Sequence, residues 1–268
     1  MSLRNKPLPC ALLVVLAGLM LHNDLVLPHS QTSAQKKPYT VTGQESTVYG
    51  TVMFTGDAPV TRGIDMSADP VCEKLNKKPT KTWLSVKNAM VADVLVFLSK
   101  GQALDSYSFE IPSTPVTLEH TKCNYLPHVL GVQAGQVFAV LNSDGTQHNT
   151  HPTPKVNIEW NMSQGVGGEP IIKTFERFEV GIPFKCNQHP WEKAYVSVFK
   201  HPFFAVTDAT GNFRIEGIPP GEYFLTTWHE VLAPKSVEIM LTPSETRHTV
   251  FSFAESDISE ERGIKAHH

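Results

Sequence analysis

A cysteine and a histidine stand three residues apart in KCNQHPWEKAY, residues 185–195, as Cys186 and His189. A thiolate is a soft donor and an imidazole a borderline one, and together they select copper. Upstream, Phe178, Val180, Ile182, Phe184 and Cys186 alternate with Arg177, Glu179 and Lys185, a period of two that predicts a strand with one apolar face. Cys186 is expected to end that face inside a β core, with His189 on the loop beyond. A Cys-x2-His pair is also what a buried structural thiol beside a surface histidine looks like. A metal site therefore needs a second histidine from elsewhere. Residues 142–152, NSDGTQHNTHP, offer two, His148 and His151, where a strand ends in a turn and restarts.

The elements that must bring these residues together read as β throughout. The 268 residues open with a basic, then apolar, then small-residue segment that predicts a signal peptide over 1–34; its apolar run is too short to span a bilayer. Residues 35–45 read as a flexible lead-in. An N-terminal β segment follows over 46–104, with strands at Val48–Phe54 and Val94–Leu98 and a short helix holding Cys72 between Asp69 and Lys78. This segment belongs either to the sheet of a central domain, 105–200, or to a C-terminal β module, 201–254. Residues 102–120 and 156–173 read as loops, the second with Trp160 docked, and 255–268 as a disordered tail. Strands of five to eight residues between Gly/Pro turns in the last third predict a small sandwich.

A net charge of −3 excludes nothing by itself, but no basic run suggests nucleic acid. Exported proteins oxidise cysteines in pairs. Without the leader the chain keeps Cys72, Cys123 and Cys186, so one is left over. A Cys72–Cys123 disulfide is assigned because it frees Cys186 as a ligand; other pairings stay open. Motifs for serine or zinc hydrolysis, phosphate loops and covalent haem are absent from the sequence.

Taken together and in order, YLPHVLGVQAGQ, NSDGTQHNTHP, KCNQHPWEKAY and HPFFAVTDATGNFRIEGIPPGEY resemble bacterial exported proteins that couple a plastocyanin-like cupredoxin domain to a carboxypeptidase-regulatory-like (transthyretin-like) β domain. The resemblance runs from about Val48 to Phe253. It implies an all-β fold, a cupredoxin Greek-key sandwich plus a smaller sandwich. It implies one copper ion cycling between Cu(II) and Cu(I), with His148, Cys186 and His189 as equatorial ligands. Members often carry methionine three residues after the second histidine as the presumed axial ligand. Here that position is Glu192, and the plastocyanin position, five residues after, is Ala194.

A carboxylate is hard and favours Cu(II), so an axial Glu192 would lower the potential; the alternative is a Glu192 facing solvent beside Lys193. Met162 is an outside candidate for the axial position, and His151 an alternative to His148 or an outer hydrogen-bonding partner. His128 is expected to be structural, and the amides of Asn142 and Asn149 to tie the ligand loops together. The leading expectation is periplasmic or secreted one-electron transfer without stable membrane insertion. His189 would be exposed, Pro190 and Trp191 would form an apolar docking patch, and the partner would be transient, a cytochrome or an oxidoreductase. Copper storage or delivery, and a structural envelope protein, are the competing expectations.

Overall fold

A computed structural model describes residues 36–57 and 59–259. The expected signal peptide and the last part of the expected tail lie outside the described residues. Among the described residues the chain is all-β apart from short helical turns, and no helix is long and apolar enough to cross a membrane.

One sandwich draws on both ends of the chain. In Ser46–Thr55 the alternation seals Val48, Val52 and Phe54 inside. That strand lies between Asn212–Ile218, antiparallel, and Thr246–Ala254, parallel. The other sheet runs in the order Phe204–Val206, Leu95–Gly101, Gly221–Trp228, Ser236–Leu241. Leu98, Leu225, Phe251 and Phe253 belong to the shared core. Residues 46–101 and 204–254 thus form one body, called here the platform, and the chain between them is an insert.

Leu95–Gly101 is apolar on both faces for a physical reason. Val96 and Leu98 point into the platform core, whereas Leu95 and Phe97 pack with Val129 and Phe199 of the insert. Two glycines allow this close approach. A Cβ on Gly131 would meet the Phe204 ring at 2.4 Å, and one on Gly181, at φ +70, would meet Trp228 at 2.2 Å.

The insert is a second sandwich. Its first sheet orders Asn124–Leu126, Val116–Thr121, Phe138–Asn142 and Ile171–Lys173. Its second orders Val129–Gln133, Lys193–Phe199, Glu179–Lys185, His148–Pro152 and Met162–Gln164. Leu118, Phe138, Val140, Ile182, Phe184 and Val196 fill the space between the sheets.

Several expectations need correction. The lead-in is tied down: Lys37–Pro38 pairs in parallel with Tyr107–Ser108, and Tyr39 donates to Glu45 at 2.6 Å. Residues 102–120 are not mainly loop, for they hold the helix Gln102–Ser106 and the strand Val116–Thr121. Residues 156–173 contain the strands Met162–Gln164 and Ile171–Lys173, with Trp160 packed beside Phe184. The start of the tail is ordered, a turn at Glu255–Asp257 followed by a bridge from Ile258 to Leu232.

The alternation leading to Cys186 also breaks. The register shifts between Glu179 and Ile182, so Phe178 is 45% exposed while Glu179 is buried. The Glu179 carboxylate accepts from the backbone N–H groups of Lys155, Val156 and Asn157 and holds that loop in place.

Candidate metal centre

Cys186 follows the strand Glu179–Lys185 at the end of the insert's core, where alternation resumed after the bulge turns it inward. The chain then makes a tight turn: Glu192 donates its N–H to the His189 carbonyl at 2.9 Å. This turn brings the side chains of His189 and Glu192 back beneath Cys186. His148 comes from the first residue of His148–Pro152, which pairs with the cysteine's own strand.

The four donors converge. The Cys186 sulfur lies 4.0 Å from His148 Nδ1 and 3.5 Å from His189 Nδ1, and the two Nδ1 atoms are 3.0 Å apart. Glu192 Oε2 lies 3.0 Å from His148 Nδ1 and 3.8 Å from His189 Nδ1. All four residues are buried, with exposures of 0% for His148, 2% for Cys186, 3% for His189 and 1% for Glu192. Glu192 is therefore not the solvent-facing side chain that its neighbour Lys193 suggested.

The far side of each imidazole is held by a carboxylate. His148 Nε2 is 3.0 Å from Asp144 Oδ2, and His189 Nε2 is 3.1 Å from Asp69 Oδ2. An Nε2–H donated outward leaves the Nδ1 lone pair aimed inward, the tautomer a metal ligand needs. Both carboxylates are themselves fixed. Asp144 accepts from the N–H groups of Lys122 and Cys123 at 2.7 Å each. Asp69 caps the helix Pro70–Leu75, accepting from Val71 and Cys72, and takes the Thr146 hydroxyl at 2.8 Å.

Behind Glu192 sits a histidine that the sequence reading passed over. His120 Nδ1 is 2.9 Å from Glu192 Oε1, its Nε2 is 2.9 Å from Thr150 Oγ1, and its ring stacks on His148 at 4.4 Å. Its sequence signal is the alternation of Leu118 and His120 in VTLEHT, part of the strand Val116–Thr121. Asp69 and Asp144 carried no local signal.

These contacts set the ionisation. Burial pushes the Cys186 thiol up, but bonds from His148 and His189 win and bring it down to about 7. Burial likewise pushes Glu192 up, yet His120 and His148 hold it down at about 2. For His148 burial favours the neutral ring, and Asp144, Cys186 and Glu192 override it, raising the group to about 11. His189 is raised as well, against its burial, chiefly by Cys186 and Asp69. Two protons do not fit in the 3.0 Å gap between the Nδ1 atoms, so at least one lone pair points into the centre.

The remaining expected residues fall outside this group of four. His151, three positions along the strand from His148, lies on the opposite face and meets Glu159 at 2.7 Å and Asn187. His128 bonds to the Lys193 carbonyl and to Glu230 of the platform. Met162 is 40% exposed. Asn149 donates its N–H to the Cys186 sulfur at 3.4 Å and accepts from the Asn187 N–H at 3.0 Å, so it ties the cysteine loop to the His148 strand. Asn142 fixes the intervening turn through Thr146 and Gln164.

The expected docking patch is partly covered, with Trp191 half-buried. Cys72 and Cys123 are disulfide-bonded, and with Ile64 and Met66 they pack against Trp191, whose indole N–H is bound to the Cys123 carbonyl. Pro190 remains exposed, but His189 is covered. The cover is platform chain, the segment around Pro70–Leu75 that the disulfide staples over the insert.

No family model and no curated protein matches this chain. Among solved structures it is similar to a Cu-containing nitrite reductase (NirK) from Thermus scotoductus SA-01, at 21% identity and TM-score 0.30, over 32% of this chain and 22% of that one. It is also similar to an oxidized amicyanin variant, at 18% identity and TM-score 0.29, over 33% of this chain and 86% of that one. A purple cupredoxin from Nitrosopumilus maritimus matches at 20% identity and TM-score 0.27, over 31% of this chain and 98% of that one. Each likeness is confined to about a third of the chain, and the side chains alone carry the reading of the site.

Proposed function

We propose that this protein binds a single copper ion through His148 Nδ1, His189 Nδ1, Cys186 Sγ and Glu192 Oε2, and carries one electron at a time outside the cytoplasm. The observation that carries the reading is the convergence of a thiolate, two imidazole Nδ1 atoms and a carboxylate within 4.8 Å of one another, each ring fixed from behind by an aspartate. Soft sulfur with nitrogen suits copper, which supplies one-electron chemistry between Cu(II) and Cu(I) when bound.

The residues around the ligands are set for that task. The two strands carrying Cys186 and His148 are paired, the cysteine loop is tied by Asn149, and His120 holds Glu192, so little has to move when the charge changes. A carboxylate in place of a thioether adds negative charge, and Asp69 and Asp144 make the imidazoles more basic. All three favour the higher oxidation state and a low potential. Delivery of copper to another protein fits less well, because all four donors are buried beneath a stapled segment. The disulfide supports an oxidising compartment.

The test is to titrate the protein with Cu(II) and record absorption, paramagnetic and voltammetric signals beside Cys186→Ser and Glu192→Gln. One copper per chain, a thiolate charge-transfer band lost in Cys186→Ser, and a potential raised in Glu192→Gln are expected. Stoichiometric zinc that copper does not displace would overturn the reading.

A further inference from the structure

The covered histidine raises the question of where an electron enters. His189 is 3% exposed, so a partner cannot touch its ring, and the surface above it belongs to the segment stapled by Cys72–Cys123. That segment has an unusual charge. Residues 70–87 carry Lys74, Lys77, Lys78, Lys81 and Lys87 against one acid, Glu73, in a chain whose net charge is −3.

Lys81 is placed beside the centre by direct contacts. Lys81 Nζ donates to the Trp191 carbonyl at 3.1 Å, and the Trp191 ring lies 5.1 Å from the His189 ring. Lys81 and Lys193 both stand over the Trp83 ring, at 4.6 and 5.7 Å. The carbonyl of Lys122, beside the disulfide, accepts from Asn76 at 2.9 Å and so ties this lysine to the same segment. Lys74, Lys77, Lys78 and Lys122 are exposed. Of the nearby acids, Asp69 and Asp144 face inward onto the histidines; Asp65 and Glu73 are the exposed ones.

We infer that this basic cover is the docking face for an acidic electron-transfer protein, with Trp191 lying between that face and His189. The inference rests on the one-electron reading above and names the partner's surface chemistry. A local positive field on an acidic molecule orients a negatively charged partner at encounter, changing association rates by roughly 10- to 1,000-fold in a salt-dependent way. It leaves the contact short-lived.

The probes are two small complexes that each accept one electron from the reduced protein, hexacyanoferrate(III), becoming hexacyanoferrate(II), and hexaammineruthenium(III), becoming hexaammineruthenium(II). Copper content and a reversible couple are measured first; if either is missing, the one-electron reading fails and this docking face with it. With both present, stopped-flow rates are followed against ionic strength. The hexacyanoferrate rate is expected to fall by about 10-fold as salt rises, opposite to what the net charge predicts. The hexaammineruthenium rate should not fall. Lys77→Glu/Lys78→Glu should abolish the hexacyanoferrate salt effect with the potential unchanged, whereas Lys100→Glu/Lys200→Glu, the same charge change on other lysines, should leave most of it. A hexacyanoferrate rate that rises with salt, or equal effects of the two double variants, would overturn the proposal.

Discussion

Two histidines sealed from water behave in opposite ways, and the contrast separates the platform end of the molecule from the candidate metal centre. His201, just past the last insert strand, is 7% exposed, and burial pushes its pKa down to about 4. Its Nδ1 accepts the Phe203 N–H, and its ring packs between Phe199 and Phe203, so it is held as a neutral acceptor. His148 is buried more completely, yet surrounding anions hold its pKa far above the ordinary histidine range. Burial alone lowers the pKa of an imidazole; burial with carboxylates and a thiolate raises it. The platform is organised by hydrocarbon, and the centre by compensated charge.

The largest test of that contrast is to remove the compensation. Glu192→Ala leaves the ring nitrogens of His120 and His148 without their buried carboxylate. It should destabilise the protein by about 3–5 kcal/mol in denaturant unfolding. A loss below about 1 kcal/mol would mean the cluster is not charge-compensated. On the platform side, Leu225→Ala should cost about 2–5 kcal/mol through a cavity while leaving the absorption of the copper-loaded protein unchanged. A spectral shift there would show that the two regions are not separable.

The smallest effect expected is that of pH on His201, and its sign follows from the depressed folded pKa. The unfolded chain takes up a proton near the ordinary value of 6.5 and the folded one only near 4. This contribution is therefore fully present above pH 6.5, is lost as pH falls from 6.5 to 4, and amounts to about 3 kcal/mol at most. Comparing stability across that window for the native chain and His201→Phe checks it: the variant should show a shallower slope.

Much of the centre was legible because it is local or periodic. Cys186 and His189 share one turn, and strand alternation turned the sulfur inward. Alternation also says that His148 and His151 cannot both face the cysteine, since residues three apart on a strand point to opposite faces. Glu192 was harder, because EKAY reads as a surface run until the turn closing onto the His189 carbonyl folds its first residue inside. The bulge before Ile182, which buries Glu179, needed three-dimensional packing against Trp228 to become apparent. Asp69 reaches His189 from 120 positions away, a contact that only the folded platform creates. The expectation of an exposed His189 failed for the same reason, since the chain that covers it is far away in sequence.

The parallel pairing of Ser46–Thr55 with Thr246–Ala254 has a consequence for how the molecule is assembled. These strands leave the synthesis machinery roughly 200 residues apart, so the earlier one waits without its neighbour while everything between them emerges. The insert's strands are nearer one another in sequence, its longest pairing joining Val129–Gln133 to Lys193–Phe199. The segment that covers His189 is bound to the insert by the Cys72–Cys123 disulfide and by Asp69, contacts that do not involve this late pairing. A chain ending before residue 246 would leave one edge of Ser46–Thr55 without its parallel partner.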